Sequence, residues 1–227
     1  MTESSLFQFI TTMPNPAHVK DASNGKYIMT NKNNLRTFDF ICEDELLGLT
    51  LDEIDSVFMR QHWGMEFAKE VAMLDAEVKS IGNLVVGKNK IFKDRQGIIR
   101  FQNMHKSPFF CGDKKEKVSA ILTITYEYTD KIDLITLYNN YKEVYKSKTE
   151  ALYCFSRYID IVNFFYEPLT EKELFCLLYA KLNQGHKNIA KNLNITVKTV
   201  ETHLMNMANK LKNHSMQDVI GFLRNKK

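Results

Sequence analysis

The sequence predicts an α+β N-terminal domain, with an antiparallel sheet and short helices, and an all-α C-terminal domain joined to it by a helical linker. Three observations support this prediction. Runs rich in β-branched and aromatic residues flank a stretch of helical periodicity within residues 1–130. Helical spacing of apolar residues continues beyond that point, and positive charge is concentrated in the last quarter of the chain. We place the domain bounds at 1–130, 131–165 and 166–227.

The bulk composition is that of a globular protein. Of 227 residues, 44% are hydrophobic and 26% are charged, which suffices for two modest domains. Neither a membrane-spanning run nor a secretory signal is visible, so we expect a cytoplasmic protein with no membrane partner. The cysteines form no CxxC pair, which argues against a disulfide framework or a zinc site and predicts reduced thiols. They are Cys42, Cys111, Cys154 and Cys176.

The N-terminal domain begins with two predicted strands. A turn at 23–25, Ser-Asn-Gly, separates the short runs 17–19 and 27–29. Apolar residues then recur three and four apart, which predicts a helix over 66–80. The period changes again at Leu84, and the segments 84–86, 98–104 and 118–128 are rich in β-branched and aromatic residues. We predict a three-stranded antiparallel meander there.

A helix is predicted over 131–150, after the last strand. Its apolar residues form one stripe at near-heptad spacing, while Lys and Glu occupy other positions. The stripe consists of Leu134, Leu137, Tyr138, Tyr141, Val144 and Tyr145. The stripe spans only about two heptads. This is too short to decide whether the helix packs onto its own domain or forms a dimer interface, so both alternatives remain open. An aromatic-rich segment then leads to Pro168, where we expect the last domain to begin.

The C-terminal segment has the pattern of a helix-turn-helix. Thr170 and Glu173 form a capping box that opens an amphipathic helix. A short helix over 187–193, a turn at 194–196 and a third helix over 197–211 follow it. Two helices joined by a tight turn place the second in the major groove of DNA.

The outward face of the third helix carries residue types that suit base edges and phosphates. Asn pairs with adenine, Glu accepts from cytosine, Thr and Met meet thymine methyls, and Lys reaches guanine or phosphate. From Tyr166 onward the sequence has ten Lys or Arg and five Asp or Glu. This excess of positive charge suits a double-stranded DNA partner. The predicted DNA-binding residues are Lys187, Lys198, Thr199, Glu201, Thr202, Met205, Asn206 and Lys210.

This C-terminal pattern closely resembles the DNA-binding domain of LuxR-type regulators over residues 169 to about 223. The positions that carry the likeness include Leu169, Thr170, Glu173, Ile189, Ala190, Leu193, Ile195, Thr199, Val200, His203, Asn206, Lys210 and Leu211. The resemblance implies that the third helix reads DNA and that a fourth, over 215–223, forms a dimer contact, so we expect a homodimer. Two positions differ from the family pattern. Asn183 stands where Gly is usual in the family, and Glu201 stands where Lys is frequent.

The N-terminal order resembles a PAS sensor domain. The residues that carry this likeness are 14–21, 25–27, Asn31, 46–50, Glu53-Ile54 and the final strand 118–130. Such a fold implies a pocket between the sheet and its helices that accepts a small molecule, although an empty, structural or dimerising core is the alternative. His62, beside Trp63, or His105 could ligate haem, yet the sequence leaves the cofactor unknown.

These features predict a sequence-specific transcriptional regulator controlled by a small-molecule or conformational signal. Catalytic motifs such as GxSxG, HExxH and a Gly-rich phosphate loop are missing, so we expect no enzyme. The strand and helix order does not suit a receiver domain, and the binding pattern of acyl-homoserine-lactone receptors is not visible. The alternative is a PAS-containing interaction adaptor whose helix-turn-helix no longer binds DNA.

Overall fold

The computed structural model describes residues 3–37, 39–58, 64–94, 96–110 and 117–225. The chain forms two compact units, Met1–Thr129 and Asp130–Lys227. The second unit therefore includes residues 131–165 as well as the predicted helix-turn-helix. The three-part division of the chain stays a prediction.

The N-terminal unit is built on one antiparallel sheet of five strands in the order β2-β1-β5-β4-β3. The strands are β1 (Ala17–Asp21), β2 (Tyr27–Thr30), β3 (Val85–Lys93), β4 (Ile99–Phe110) and β5 (Val118–Glu127). Both the initial strand pair and the later meander are therefore confirmed. The central position of β5 brings the end of this domain beside its beginning.

Helices cover both faces of the sheet. They are α1 (Glu3–Thr12), α2 (Lys32–Thr37), α3 (Leu51–Phe58) and α4 (Gly64–Ile81), with a 3₁₀ turn over Glu43–Glu45. Helix α1 packs Ile10 against Val19 and Leu122 on one face. Helix α4 packs Phe67 against Met104 on the other, which we call the inner face. The predicted helix over 66–80 and the α+β fold class are confirmed.

The C-terminal unit is entirely helical in its described residues, as predicted. Its helices are α5 (Leu134–Val144), α6 (Lys148–Tyr158), α7 (Glu171–Lys181), α8 (His186–Leu193), α9 (Val197–Lys210) and α10 (Met216–Asn225). A 3₁₀ turn over Val162–Phe164 connects α6 to the segment before α7.

A single helix over 131–150 was a wrong prediction. Helix α5 begins after Asp133, whose Oδ1 accepts from the backbone N–H groups of Ile135 and Thr136 at 3.1 and 2.9 Å. It ends at Val144, and α6 begins after Ser147, whose hydroxyl accepts from the Glu150 N–H. Asp and Ser are strong N-cap residues, and the second cap interrupts the predicted helix.

The apolar stripe of α5 packs within its own unit. Leu137, Tyr138 and Tyr141 are fully buried. The Tyr138 ring lies 5.1 Å from that of Phe155 in α6 and 5.4 Å from that of Phe175 in α7. Of the two alternatives that the sequence leaves open, the structure therefore shows a helix folded onto its own domain.

No helix in the described residues is long and apolar enough to cross a membrane. Within the same residues, no group of three or more His, Cys, Asp or Glu side chains could hold a metal ion. Cys42, Cys154 and Cys176 are free thiols. Cys111 lies outside the described residues.

Candidate DNA-binding surface and a buried polar belt

A row of polar side chains crosses the inner face of the N-terminal sheet. Thr30 pairs with His18, His18 with Thr123, and Thr123 with Lys106, so all four side chains stand side by side. All are buried. We use the name polar belt for these residues and their contacts Lys20, Asn34 and Asp75.

An aspartate of α4 pairs with two buried lysines in the belt. Asp75 Oδ2 lies 3.1 Å from Lys20 Nζ, and Asp75 Oδ1 accepts from Lys106 Nζ. Lys106 also donates to the Thr123 hydroxyl at 3.2 Å. Burial lowers the pKa of Lys106 to about 8, because the attraction of Asp75 only partly opposes it. The two lysines hold the pKa of Asp75 below its usual value in spite of burial.

The imidazole of His18 has one satisfied and one unsatisfied nitrogen. Its Nδ1 lies 3.2 Å from Asn34 Oδ1, while Asn34 Nδ2 donates to the Thr30 hydroxyl at 2.9 Å. Because the amide oxygen of Asn34 can only accept, His18 Nδ1 is the donor, which leaves Nε2 of the neutral ring as an acceptor. Nε2 is buried without a partner. Burial lowers the pKa of His18 to about 3, so the ring is neutral at physiological pH.

The belt was missed by the sequence reasoning, although Lys20 stood among the residues that carry the PAS resemblance. The sequence holds only a partial signal, because the alternation of His18 and Lys20 with Ala17 and Val19 places both on one face of the strand without showing that this face is buried. His105 lies on the opposite face from its neighbour Lys106, with its ring 4.7 Å from that of Tyr126. His62, the other haem candidate, lies outside the described residues, as does its neighbour Trp63.

The helix-turn-helix is shaped by three local signals. The Thr170 hydroxyl accepts from the Glu173 N–H at 3.3 Å, and Glu173 Oε2 accepts from the Thr170 N–H at 2.7 Å, which completes the predicted capping box. Asn194 ends α8 in the left-handed conformation, with φ of 52°. Thr196 then caps α9 by accepting from the Thr199 N–H at 3.1 Å. The predicted turn 194–196 therefore lies between the two helices.

Helix α9 is anchored through its apolar side. Val200 and Met207 are fully buried, as are Leu174 and Leu177 of α7. Leu211 does not continue the helix, contrary to our prediction, because it has an extended backbone and pairs with Phe165 in an isolated bridge. This pairing ties the end of α9 to the segment that precedes α7.

The opposite side of α9 is polar and accessible. Lys198, Glu201, Thr202 and Met205 are exposed, with Met205 at 59%. Spacings of three and four residues place Lys198, Thr202 and Met205 on one face. Lys187 of α8 is also exposed.

Thr199 and Asn206 are less accessible than the other predicted DNA-binding residues. Both are half-buried. The Thr199 hydroxyl lies 2.8 Å from that of Thr196, which leaves it engaged at the N-terminus of the helix. Asn206 lines a cleft with Tyr166 and Lys210 at the flank of the exposed face.

Comparison with known proteins assigns the C-terminal segment. Residues 167–223 match the family of bacterial regulatory proteins called the luxR family. This segment is a LuxR-type helix-turn-helix domain. The match spans α7 to α10, so the whole set of helices that present and support the polar face of α9 belongs to the LuxR-type domain.

Several solved structures are similar to the chain. A Vibrio cholerae VqmA–ligand–DNA complex is 19% identical, with a TM-score of 0.48 over 100% of this chain and 88% of that one. A phage VqmA–DPO complex is 18% identical, with a TM-score of 0.48 over 98% and 90%. The PAS domain of Bordetella pertussis BvgS is 22% identical, with a TM-score of 0.47 over 63% and 97%. No curated protein matches the chain.

Asn183 explains how the LuxR-type domain tolerates a departure from the usual Gly. Its φ is 58°, in the left-handed region that Gly favours and Asn tolerates better than most residues. Its side-chain oxygen accepts from Arg224 Nη2, while Arg224 Nε donates to the Lys181 carbonyl at 3.2 Å. The side chain therefore joins α10 to the end of α7.

Lys210 is engaged within the LuxR-type domain. Its Nζ lies 2.8 Å from Glu173 Oε2 and 3.2 Å from the Pro168 carbonyl oxygen. Glu173 is buried, yet hydrogen bonds from Lys210 and Thr170 lower the pKa of its carboxyl below the ordinary value. The sequence reasoning placed Lys210 on DNA and overlooked this partner.

His186 is a further residue of the surface that sequence reasoning missed. It is the first residue of α8, and its Nδ1 lies 3.7 Å from Glu201 Oε1 on α9. Both side chains are at least half exposed. The pair brings an imidazole beside the one carboxylate on the exposed side of α9.

Proposed function

We propose that the protein is a sequence-specific DNA-binding transcriptional regulator that is controlled by a small molecule sensed in its N-terminal unit. The observation that carries the DNA-binding half is the amphipathic arrangement of α9 inside a LuxR-type domain. Its apolar side is buried, and Lys198, Thr202 and Met205 remain accessible on the other side. Such a helix fits the major groove of B-DNA.

The predicted DNA-binding residues take different roles in this proposal. Lys198 and Lys187 contact phosphates or guanine, while Thr202 and Met205 meet thymine methyls. Glu201, beside His186, accepts from cytosine. Thr199 and Asn206 lie at the flank of the contact and touch DNA less centrally. Lys210 stabilises the domain through Glu173 rather than binding phosphate.

The sensing half is supported by the polar belt. A folded core gains little from buried lysines, and a buried acceptor without a donor costs free energy. His18 Nε2 and Lys106 therefore mark a place where a ligand would find polar partners inside a PAS-like unit. We propose that occupancy of this place shifts the population of DNA-binding states.

Three further expectations complete the proposal. The protein acts by binding and not by catalysis, and its DNA partner implies a cytoplasmic location. We also propose a homodimer with a contact through α10, because a dimer binds two half-sites on one face of DNA. Sedimentation at increasing protein concentration tests the oligomeric state.

The affinity of the full chain for genomic fragments, measured across a salt series, tests the DNA-binding function. We expect a steep fall in affinity with salt, because each phosphate contact releases counterions, and one set of fragments bound well above the rest. An interaction adaptor without DNA binding would bind every fragment weakly. That result would contradict the proposal.

A further inference from the structure

The polar belt carries an excess positive charge away from water. The described titratable side chains that face one another here are His18 and Lys20 of β1, Tyr27 of β2, Lys106 of β4 and Asp75 of α4. His18 is neutral, and burial raises the pKa of Tyr27, so its phenol is neutral too. Two ammonium groups thus face a single carboxylate. A buried charge without a counter-charge is strongly destabilising.

Two buried polar atoms on the inner face have no partner among the described residues. His18 Nε2 is an acceptor that needs an O–H or N–H donor. Gln102 Nε2 is a donor that needs an acceptor, and Gln102 is 1% exposed on the same strand as Lys106. Its even spacing from Lys106 puts both side chains on the inner face. Gln102 lies about 13 Å along the strand from Lys106, so a small ligand at Lys106 and His18 has to supply negative charge and one donor.

Apolar clusters adjoin the inner face at both ends. Phe67 and Met104 belong to one cluster, and Val78 and Ile121 belong to the other. A ligand held by the belt would therefore place its body against apolar and aromatic side chains, as in most small-molecule sites.

We propose that the belt binds a small hydroxy- or aminocarboxylate. Its carboxylate lies against Lys106 and Lys20, and its hydroxyl or amino group donates to His18 Nε2. This inference rests on the proposed sensing function and adds the chemical class of the ligand. It assigns Asp75 the role of keeping the two lysines together before the anion arrives.

Binding to the full chain tests the inference with four named probes. Lactate and mandelate carry the required groups, while lactamide and mandelamide are neutral isosteres. Isothermal titration should show at least one carboxylate binding at millimolar concentration or tighter, and its amide at least about tenfold weaker. Phenylacetate, which lacks the hydroxyl, should bind more weakly than mandelate because His18 then gains no donor.

The pH dependence supplies a second readout on the unaltered protein. Lys106 loses its charge above its pKa of about 8. The dissociation constant of the carboxylate should therefore rise by up to about tenfold per pH unit above that value, while that of the amide stays flat.

Two matched variants complete the test. Lys106→Met leaves one ammonium, on Lys20, opposite the one carboxylate of Asp75, so the domain should fold. Circular dichroism checks the fold. Carboxylate binding should be lost in this variant. Lys90→Met removes a lysine of β3 that pairs with Glu70 at 2.8 Å outside the belt, and it should leave binding unchanged.

Equal affinity for carboxylate and amide, a carboxylate affinity unaffected by pH, or failure of both carboxylates to bind would overturn the inference. Retained carboxylate binding in folded Lys106→Met would overturn it as well. Operator affinity measured on the same preparation separates these outcomes from a failure of the DNA-binding function.

Discussion

The ammonium of Lys210, the last residue of α9, lies 2.8 Å from the carboxylate of Glu173 near the start of α7. The same carboxylate accepts from the Thr170 N–H, and the same ammonium donates to the Pro168 carbonyl. One charge pair, whose carboxylate is buried, therefore joins the end of α9 to the beginning of α7.

Removal of Lys210 should destabilise the LuxR-type domain. Lys210→Met leaves a buried carboxylate without its counter-charge, and we expect the free energy of unfolding to fall by about 3 kcal/mol. Urea denaturation followed by far-ultraviolet circular dichroism measures this loss. Lys191→Met, at an exposed position of α8, is the matched control and should change stability by less than about 0.5 kcal/mol.

The double variant Lys210→Met/Glu173→Gln checks the cause of that loss. Neutralising the buried carboxyl should restore part of the stability that Lys210→Met removes. If the double variant were as unstable as the sum of the two single variants, the coupling between the two charges would be refuted.

Lys106→Met should make the N-terminal unit more stable at neutral pH. The folded-state pKa of Lys106 is lowered from 10.5 to about 8, so the unfolded chain binds more protons between these values. Wild-type stability therefore rises with pH across this window, and the advantage of the variant should shrink there. Urea unfolding of the wild type and the variant, followed by circular dichroism at a series of pH values, measures this difference. A difference that is constant with pH would contradict the assignment of a buried, charged Lys106.

The left-handed residue between α7 and α8 gives a third test. Asn183→Gly should be tolerated, because Gly adopts the φ of 58° freely even though the contact with Arg224 is lost. Asn183→Val should destabilise the domain by at least about 1 kcal/mol, since a β-branched residue is strained there. Thermal unfolding of the two variants side by side measures the difference. Equal stability would show that the backbone conformation at this position is not the constraint.

The fold could be predicted in large part because its signals are local. The capping box at Thr170, the turn at 194–196 and the runs of β-branched and aromatic residues in the strands each act within a few residues. The break between α5 and α6 was missed because the apolar stripe reaches it without interruption, and only the cap at Ser147 marks the boundary.

The sites were harder to predict than the fold because they depend on contacts between residues distant in sequence. Lys106 and Asp75 are 31 residues apart, and Lys210 and Glu173 are 37 apart. In the sequence, a lysine that pairs with a distant buried carboxylate cannot be distinguished from a lysine exposed to solvent. The alternation of His18 and Lys20 with apolar residues places both on one face of β1 but does not show that this face is buried.

The central claim, that the exposed side of α9 reads DNA, is tested most directly by fluorescence anisotropy with the operator and a scrambled duplex across a salt series. Lys198→Ala should weaken binding to both duplexes and reduce the salt slope by about one. Thr202→Ala should lower operator affinity by about 1–3 kcal/mol, and Asn206→Ala, at the flank, should lower it by less, both with little effect on the scrambled duplex. Lys79→Ala, which removes an exposed lysine of α4, should change neither. Unaltered operator affinity in all three α9 variants would contradict the account.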